Sequence, residues 1–135
     1  MPADFQIHDG LLAVQQTSEG EQLRVAFSGE MDLANAETAG LTLREALGSG
    51  KNVVVDLAKL EFLDSTGVAM LVSAMREGGK RLSFLPSQHP AVTRLLSLTG
   101  LDERMNLTPE PAIDPSPEID PSPEEAGADP LVSAA

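Results

Sequence analysis

Between Val53 and Met75 the hydrophobic period of the chain changes, and that change restricts the possible folds more than any other feature. Val53-Val54-Val55-Asp56-Leu57 is a short run rich in β-branched residues, the pattern of a buried strand. Val68, Leu71, Val72 and Met75 then recur at i, i+3, i+4 and i+7, which is one face of an α-helix. Leu63-Asp64-Ser65-Thr66-Gly67-Val68 lies between the two patterns, so a strand feeds a helix through a short loop. Both elements must bury their apolar sides on a shared core, which points to layered α/β packing.

The flanking segments extend this reading. Phe5 to Ile7, Leu11 to Gln16 and Gln22 to Ser28 read as strands, with Ser18-Glu19-Gly20 turning between the second and third. A helix is expected from Ala36 to Leu47, capped by Asn35, with Ala39, Leu43, Ala46 and Leu47 facing inward and Gly48 and Gly50 ending it. The helix after the loop runs from about Thr66 to Glu77 and stops at Gly78-Gly79. Arg81 to Leu85 forms another strand, and Pro90 opens a last helix with Val92, Leu95 and Leu96 as its buried stripe and Gly100 as its end. Strands alternating with helices after a hairpin predict an α/β fold in which a mixed β-sheet packs against α-helices. Gly29 is expected to permit an unusual backbone angle before Glu30-Met31-Asp32. Asp56 either ends its strand, bonds a nearby loop N–H or orients the loop around Ser65. Met70 and Met75 read as packing residues.

A chain of 135 residues with 41% hydrophobic content supports one ordinary core. The formal charge is −12, and its distribution divides the chain. From Thr108 onward there are Glu110, Asp114, Glu118, Asp120, Glu124, Glu125 and Asp129 with no Lys or Arg, which leaves only −5 for residues 1–107. The same segment holds seven of the ten prolines and a perfect tandem repeat, Ile113-Asp114-Pro115-Ser116-Pro117-Glu118 followed by Ile119-Asp120-Pro121-Ser122-Pro123-Glu124. Residues 1–107 are therefore assigned to the folded domain and residues 108–135 to a disordered acidic, proline-rich tail. The tail reads as a solubilising appendage or, through Ser116-Pro117 and Ser122-Pro123, as a site of modification or docking.

The acidic balance argues against direct binding to nucleic acid, which needs a basic surface, and 3% aromatic residues argue against base stacking. The absence of cysteine excludes disulfides, thiolate metal ligands and a cysteine nucleophile. Met1-Pro2-Ala3-Asp4-Phe5 carries no basic-then-apolar leader, and no apolar run reaches membrane-spanning length. A cytoplasmic protein with no membrane partner is the expectation.

Ser65 is the residue whose chemistry stands out. A phosphoryl group there is expected to meet unpaired backbone N–H groups and the positive end of a helix dipole, with Asp64 beside it opposing the added charge. The plainer alternative is that Ser65 only caps the helix. Catalytic motifs do not fit: Leu63 stands where a G-x-S-x-G elbow needs its first glycine, and Ser65 interrupts the Asp-Thr-Gly order of an aspartic protease. His8 falls in a strand or turn and His89 at a helix start, where capping is the simpler role. No catalytic residue, cofactor or metal ligand is assigned.

Taken in order, Gly29-Glu30-Met31-Asp32, Val54-Val55-Asp56-Leu57, Phe62-Leu63-Asp64-Ser65-Thr66-Gly67 and Leu98-Thr99-Gly100-Leu101 resemble the STAS family, and within it the bacterial anti-sigma factor antagonists. The likeness extends over roughly residues 5 to 107 and leaves the tail outside. It implies a STAS-type fold and a partner switch: the unmodified antagonist binds an anti-sigma factor that is itself a serine kinase, freeing a sigma factor, and the kinase then phosphorylates the antagonist and is released. On the matching positions Ser65 corresponds to the phosphorylated serine and Thr66 to a neighbouring candidate hydroxyl. Asp32, Asp64, Ser65, Thr66 and Gly67 fall on the partner-facing surface, where they are expected to cluster with the Ser65 hydroxyl exposed. A PP2C-like phosphatase would reset the cycle. ATP and magnesium belong in this scheme to the kinase and a metal to the phosphatase, so the chain needs no cofactor of its own. Gly67-Val68-Ala69 departs from the glycine, apolar residue, glycine order usual after the serine, with Ala69 small enough to keep close packing. STAS modules also serve as non-switching scaffolds or as accessory subunits of transporters and signalling complexes, which is the alternative function.

Overall fold

The structure is a computed structural model that describes residues 4–107, so the expected tail, residues 108–135, lies outside the described residues. The elements follow as β1 (Phe5–Asp9), β2 (Leu12–Glu19), β3 (Gln22–Met31), α1 (Ala36–Gly48), β4 (Asn52–Leu63), α2 (Ser65–Gly78), β5 (Leu82–Leu85) and α3 (Pro90–Leu98), with short 3₁₀ turns at Gly79–Arg81 and Leu101–Glu103. The sheet has five strands in the order β1-β2-β3-β4-β5. β1, β2 and β3 pair antiparallel, whereas β3, β4 and β5 pair parallel. Each parallel step is a crossover through a helix, and the right-handed rule puts α1 and α2 on the same face, where they pack against each other. This is the mixed-sheet α/β architecture that the sequence predicts.

Alternation along the strands builds the core. Val14, Val25, Phe27, Val53 and Val55 are all fully buried and join Leu43 of α1, Leu71 of α2 and Val92 of α3 in one apolar cluster. The inward residues expected for α1, namely Ala39, Leu43, Ala46 and Leu47, are buried as a set.

β4 is longer than the sequence suggests, running to Leu63 instead of ending at Leu57. Its register against β3 passes from Ala26↔Asp56 to Ser28↔Lys59 and again from Gly29↔Leu60 to Glu30↔Phe62, so β4 twice carries an extra residue. Each bulge resets which side chain faces the core: Val53, Val55 and Leu57 alternate by two, then Leu60 and Leu63 continue at intervals of three. A period-two pattern stops at Leu57 even though the strand does not.

The bulges also settle Asp56, which lies inside the strand and does not end it. From the face turned away from the core, its Oδ2 accepts from Arg24 Nη2 at 2.6 Å and Nε at 3.2 Å, while Oδ1 accepts from the Ala58 N–H at 2.9 Å. Asp56 is thus spent on a cross-strand ion pair remote from the Ser65 loop. Gly29 does hold an unusual angle, φ +93°, and a Cβ there would lie 2.1 Å from the Leu11 carbonyl oxygen. Only glycine lets the β1–β2 turn close onto β3, where the Glu30 N–H donates to that same carbonyl at 2.9 Å.

Candidate functional site

β3 and β4 run parallel and end together, Met31 opposite Leu63. The residues that follow them, Asp32 and Asp64, therefore emerge side by side, with the Asp64 N–H donating to the Met31 carbonyl at 3.3 Å. This is the carboxyl end of the parallel strands, where open α/β sheets present their binding loops. Asp32, Asp64, Ser65 and Thr66 lie at that one end of the sheet, the first leading into α1 and the others opening α2.

Asp64, not Ser65, caps α2. Its backbone is extended, and its Oδ1 accepts from the Thr66 N–H at 3.0 Å, the Gly67 N–H at 3.1 Å and the Thr66 hydroxyl, while its carbonyl takes the Val68 N–H at 3.0 Å. The Thr66 hydroxyl holds the carboxyl below the usual aspartate range; partial burial opposes this, and the N–H groups of Gly67, Thr66 and Leu33 add to the lowering. Asp64 is consequently ionised at neutral pH, and its own N–H ties the start of α2 to the end of β3 at Met31.

This arrangement corrects the expected surroundings of Ser65. The first-turn N–H groups of Thr66 and Gly67 are already taken by Asp64, so they do not stand open for a phosphate. Ser65 is exposed at the first position of the helix, and no hydrogen bond to another described residue occupies its hydroxyl. Thr66 is half-buried with its hydroxyl committed to Asp64. Gly67 is buried beneath the surface: a Cβ there would lie 2.3 Å from Leu63 Cδ1 and 3.1 Å from Met31 Sδ, so its place is to let α2 close on the sheet. Ala69, the departure from the usual pattern, is exposed and lines a groove of about 400 Å³ that runs from Thr66 between α1 and α2, bordered by Gly40, Met70 and the Arg44–Glu77 ion pair.

The Asp32 loop is organised by a residue whose role the sequence concealed. Asn35 occupies the N-cap position of α1 but makes no side-chain cap. Its side chain is buried, 1% exposed, and accepts from the Asp32 N–H at 2.9 Å while donating to the carbonyls of Glu30 at 3.0 Å and Asp9 at 3.3 Å. Asp32 in turn accepts from the Ala34 N–H at 3.0 Å through Oδ1, and its carbonyl takes the N–H groups of Asn35 and Ala36. Held this way, Leu33 points outward and is 77% exposed. Leu11, beside Glu30 across the β1–β2 turn, and Phe62, opposite Glu30 in β4, are also exposed, so apolar side chains flank the carboxylates at this end. An apolar residue in a turn-like segment, Asp32-Leu33-Ala34-Asn35, was the available signal for Leu33; that Asn35 points back into the fold had none.

His8 and His89 are both exposed and far apart in the chain, and His89 makes no side-chain cap at α3. Among the described residues no group of three or more His, Cys, Asp or Glu is placed to hold a metal ion, and no helix is long and apolar enough to cross a membrane. The carboxyl end of the mixed sheet thus presents an exposed hydroxyl, a carboxylate engaged by the start of α2 and an apolar rim.

Residues 14–109 match the family model described as "Mlab, STAS domain", and the chain belongs to the STAS domain family. Solved structures agree. An anti-sigma factor antagonist from Mycobacterium paratuberculosis is 26% identical, with a TM-score of 0.67 over 73% of this chain and 86% of that one. The anti-sigma factor antagonist SpoIIAA in its unphosphorylated form is 25% identical, with a TM-score of 0.61 over 75% of this chain and 93% of that one. The Bacillus cell fate determinant SpoIIAA in its phosphorylated form, also 25% identical, superposes with a TM-score of 0.56 over 75% of this chain and 96% of that one.

Proposed function

We propose that this chain is an anti-sigma factor antagonist that works by reversible phosphorylation of Ser65. The observation that carries the reading is the exposed, uncommitted Ser65 hydroxyl immediately after an Asp64 whose Oδ1 is engaged by Thr66 and Gly67. The unmodified end formed by Asp32, Leu33, Asp64 and Ser65 docks on an anti-sigma serine kinase, with Leu33 as the apolar anchor. The kinase transfers a phosphoryl group to Ser65, the complex separates, and a PP2C-like phosphatase restores the hydroxyl. The chain acts in the cytoplasm by occupying a partner, not by catalysis.

The local geometry supports separation without refolding. A phosphate adds about −1.5 to −2 charge at neutral pH. With the Thr66 and Gly67 N–H groups engaged by Asp64, those two first-turn donors are not open to stabilise it. Within a docked interface it would be a buried, unpaired anion beside a carboxylate, which opposes binding strongly. That the antagonist SpoIIAA resembles this chain in both its unphosphorylated and its phosphorylated form supports a fold that tolerates the modification.

The test uses Ser65→Ala and Ser65→Asp as baits in the cell of origin. Ser65→Ala should retain a protein that phosphorylates the parent chain at Ser65 with ATP, and Ser65→Asp should retain it at least about tenfold less, the equivalent of roughly 1.4 kcal/mol. Equal retention by the two variants would overturn the switch in favour of a constitutive STAS scaffold or accessory subunit.

A further inference from the structure

Away from the Ser65 end, Val72 and Met75 of α2 and Leu101 of the following 3₁₀ turn form an apolar groove of about 160 Å³ flanked by Arg76 and Arg104. Val72 and Met75 lie seven and ten residues beyond Ser65 in the chain, about 10–15 Å along the helix axis, so the groove is separate from the phosphorylation surface. Arg76 and Arg104 are exposed, and neither guanidinium has an ion-pair or hydrogen-bond partner among the described residues. Arg94 on α3 is likewise without such a partner among the described residues, whereas Arg24 pairs with Asp56 and Glu19, Arg44 with Glu77, and Arg81 donates to the Lys51 carbonyl; Arg76 and Arg104 are the two that flank an apolar groove. No carboxylate lines the groove; the nearest in sequence are Glu77, which pairs with Arg44, and Asp102 and Glu103 on the adjoining turn. An occupant that complements it carries an aliphatic side chain between carboxylates and no cation.

The chain itself supplies that chemistry. Residues 108–135 hold seven acidic residues and no Lys or Arg, and twice present isoleucine followed by aspartate and, four residues later, glutamate. The described fold also ends close by. The Phe84 N–H donates to the Asn106 carbonyl at 2.9 Å and Leu107 bridges to Phe84, which fixes the chain three residues after Arg104. From Leu107 the six residues to Ile113 span up to about 20 Å and the twelve to Ile119 up to about 40 Å, enough for either copy to reach the groove.

We propose that the Ile-Asp-Pro-Ser-Pro-Glu repeat docks on this groove, isoleucine over Val72, Met75 and Leu101 and the carboxylates against Arg76 and Arg104. Because the repeat is tethered, contacts too weak to hold separate molecules still give substantial occupancy. Two copies of one sequence offer two equivalent occupants. The charge pairs are solvent-exposed, so the contact weakens as salt rises. The proposal stands independently of the role assigned to Ser65.

The chain has no cysteine, so Ser116→Cys in the full chain accepts a single nitroxide for paramagnetic NMR. Amide signals of Val72, Met75 and Arg76 should lose more than half their intensity, and should regain it in about 1 M salt, where the Debye length falls to about 3 Å. The Arg76→Glu, Arg104→Glu double variant should restore it as well. In the unlabelled full chain, Asp114→Asn, Glu118→Gln, Asp120→Asn and Glu124→Gln together should shift the same signals. Intensity loss spread evenly over the surface, centred on another face, or transferred to a second copy in mixtures of labelled and isotope-enriched chains would overturn the proposal.

Discussion

Replacing Asp64 by alanine removes a carboxylate oxygen that accepts from the Thr66 N–H at 3.0 Å, the Gly67 N–H at 3.1 Å and the Thr66 hydroxyl. Loss of an N-cap side chain costs about 1 kcal/mol, and loss of its charge at the positive end of the helix about 0.3–1 kcal/mol more. With the lost acceptor for the Thr66 hydroxyl added, the expected total is about 1.5–2.5 kcal/mol. In a domain of this size that lowers Tm by roughly 6–15 °C. Asp64→Asn keeps an acceptor and loses only the charge, so it should cost about half as much.

The pH dependence has a defined sign. Because the folded-state pKa of Asp64 lies below its ordinary value of 3.8, the stabilisation is fully present above that value and disappears as pH falls through the lowered one. The difference in Tm between the parent chain and Asp64→Asn should therefore shrink as pH falls below 4. Thermal unfolding followed by far-UV circular dichroism is the appropriate assay, since the chain has neither Trp nor Tyr for fluorescence. An unchanged Tm in Asp64→Ala, or a gap between parent and Asp64→Asn that widens in acid, would refute the assignment of Asp64 as the cap.

Three further outcomes follow from the packing. Asn35→Ala should destabilise by about 2–3 kcal/mol in chemical denaturation, because it strands the partly buried Asp32 N–H and deprives the Glu30 and Asp9 carbonyls of a donor; its amide exchange should quicken first at Asp32 and Leu33. Gly29→Ala should cost more than about 3 kcal/mol or prevent folding, since the added Cβ would meet a backbone oxygen in a left-handed region, whereas Gly20→Ala, also at positive φ but with open space around it, should cost only about 1 kcal/mol. Asp56→Asn should lose about 1–2 kcal/mol by weakening the pair with Arg24 while leaving phosphorylation of Ser65 unaltered, a separation readable by denaturation alongside a kinase assay.

Much of this fold was legible because the helices state their buried faces plainly. Ala39, Leu43, Ala46 and Leu47 mark α1, and glycines follow each helix at the right place. What escaped were features set by tertiary context. The bulges in β4 break the period-two pattern after Leu57, and nothing local announces an extra residue in a ladder with a partner strand distant in sequence. Asp64-Ser65-Thr66-Gly67 offers three polar residues as caps, and local propensity does not choose among them; parallel pairing of Met31 with Leu63 does, by ending β4 so that Asp64 takes the extended cap position. Asn35 likewise has the identity of a cap, but the closeness of the β1–β2 turn offers its side chain the Asp9 carbonyl instead. Gly67 sat among surface residues in the sequence and lies beneath them in the fold, for a reason found only in the position of Leu63 and Met31.

The central claim is that Ser65 carries a reversible phosphoryl group, and the most direct measurement is the intact mass of the protein purified from its own cells, before and after phosphatase treatment, with the site mapped by peptide sequencing. A phosphoryl mass increment that maps to Ser65, is removed by the phosphatase and varies between growth and stress is the result predicted here. A chain that stays unmodified at Ser65 under both conditions, or that carries its phosphate at another residue, would contradict the account.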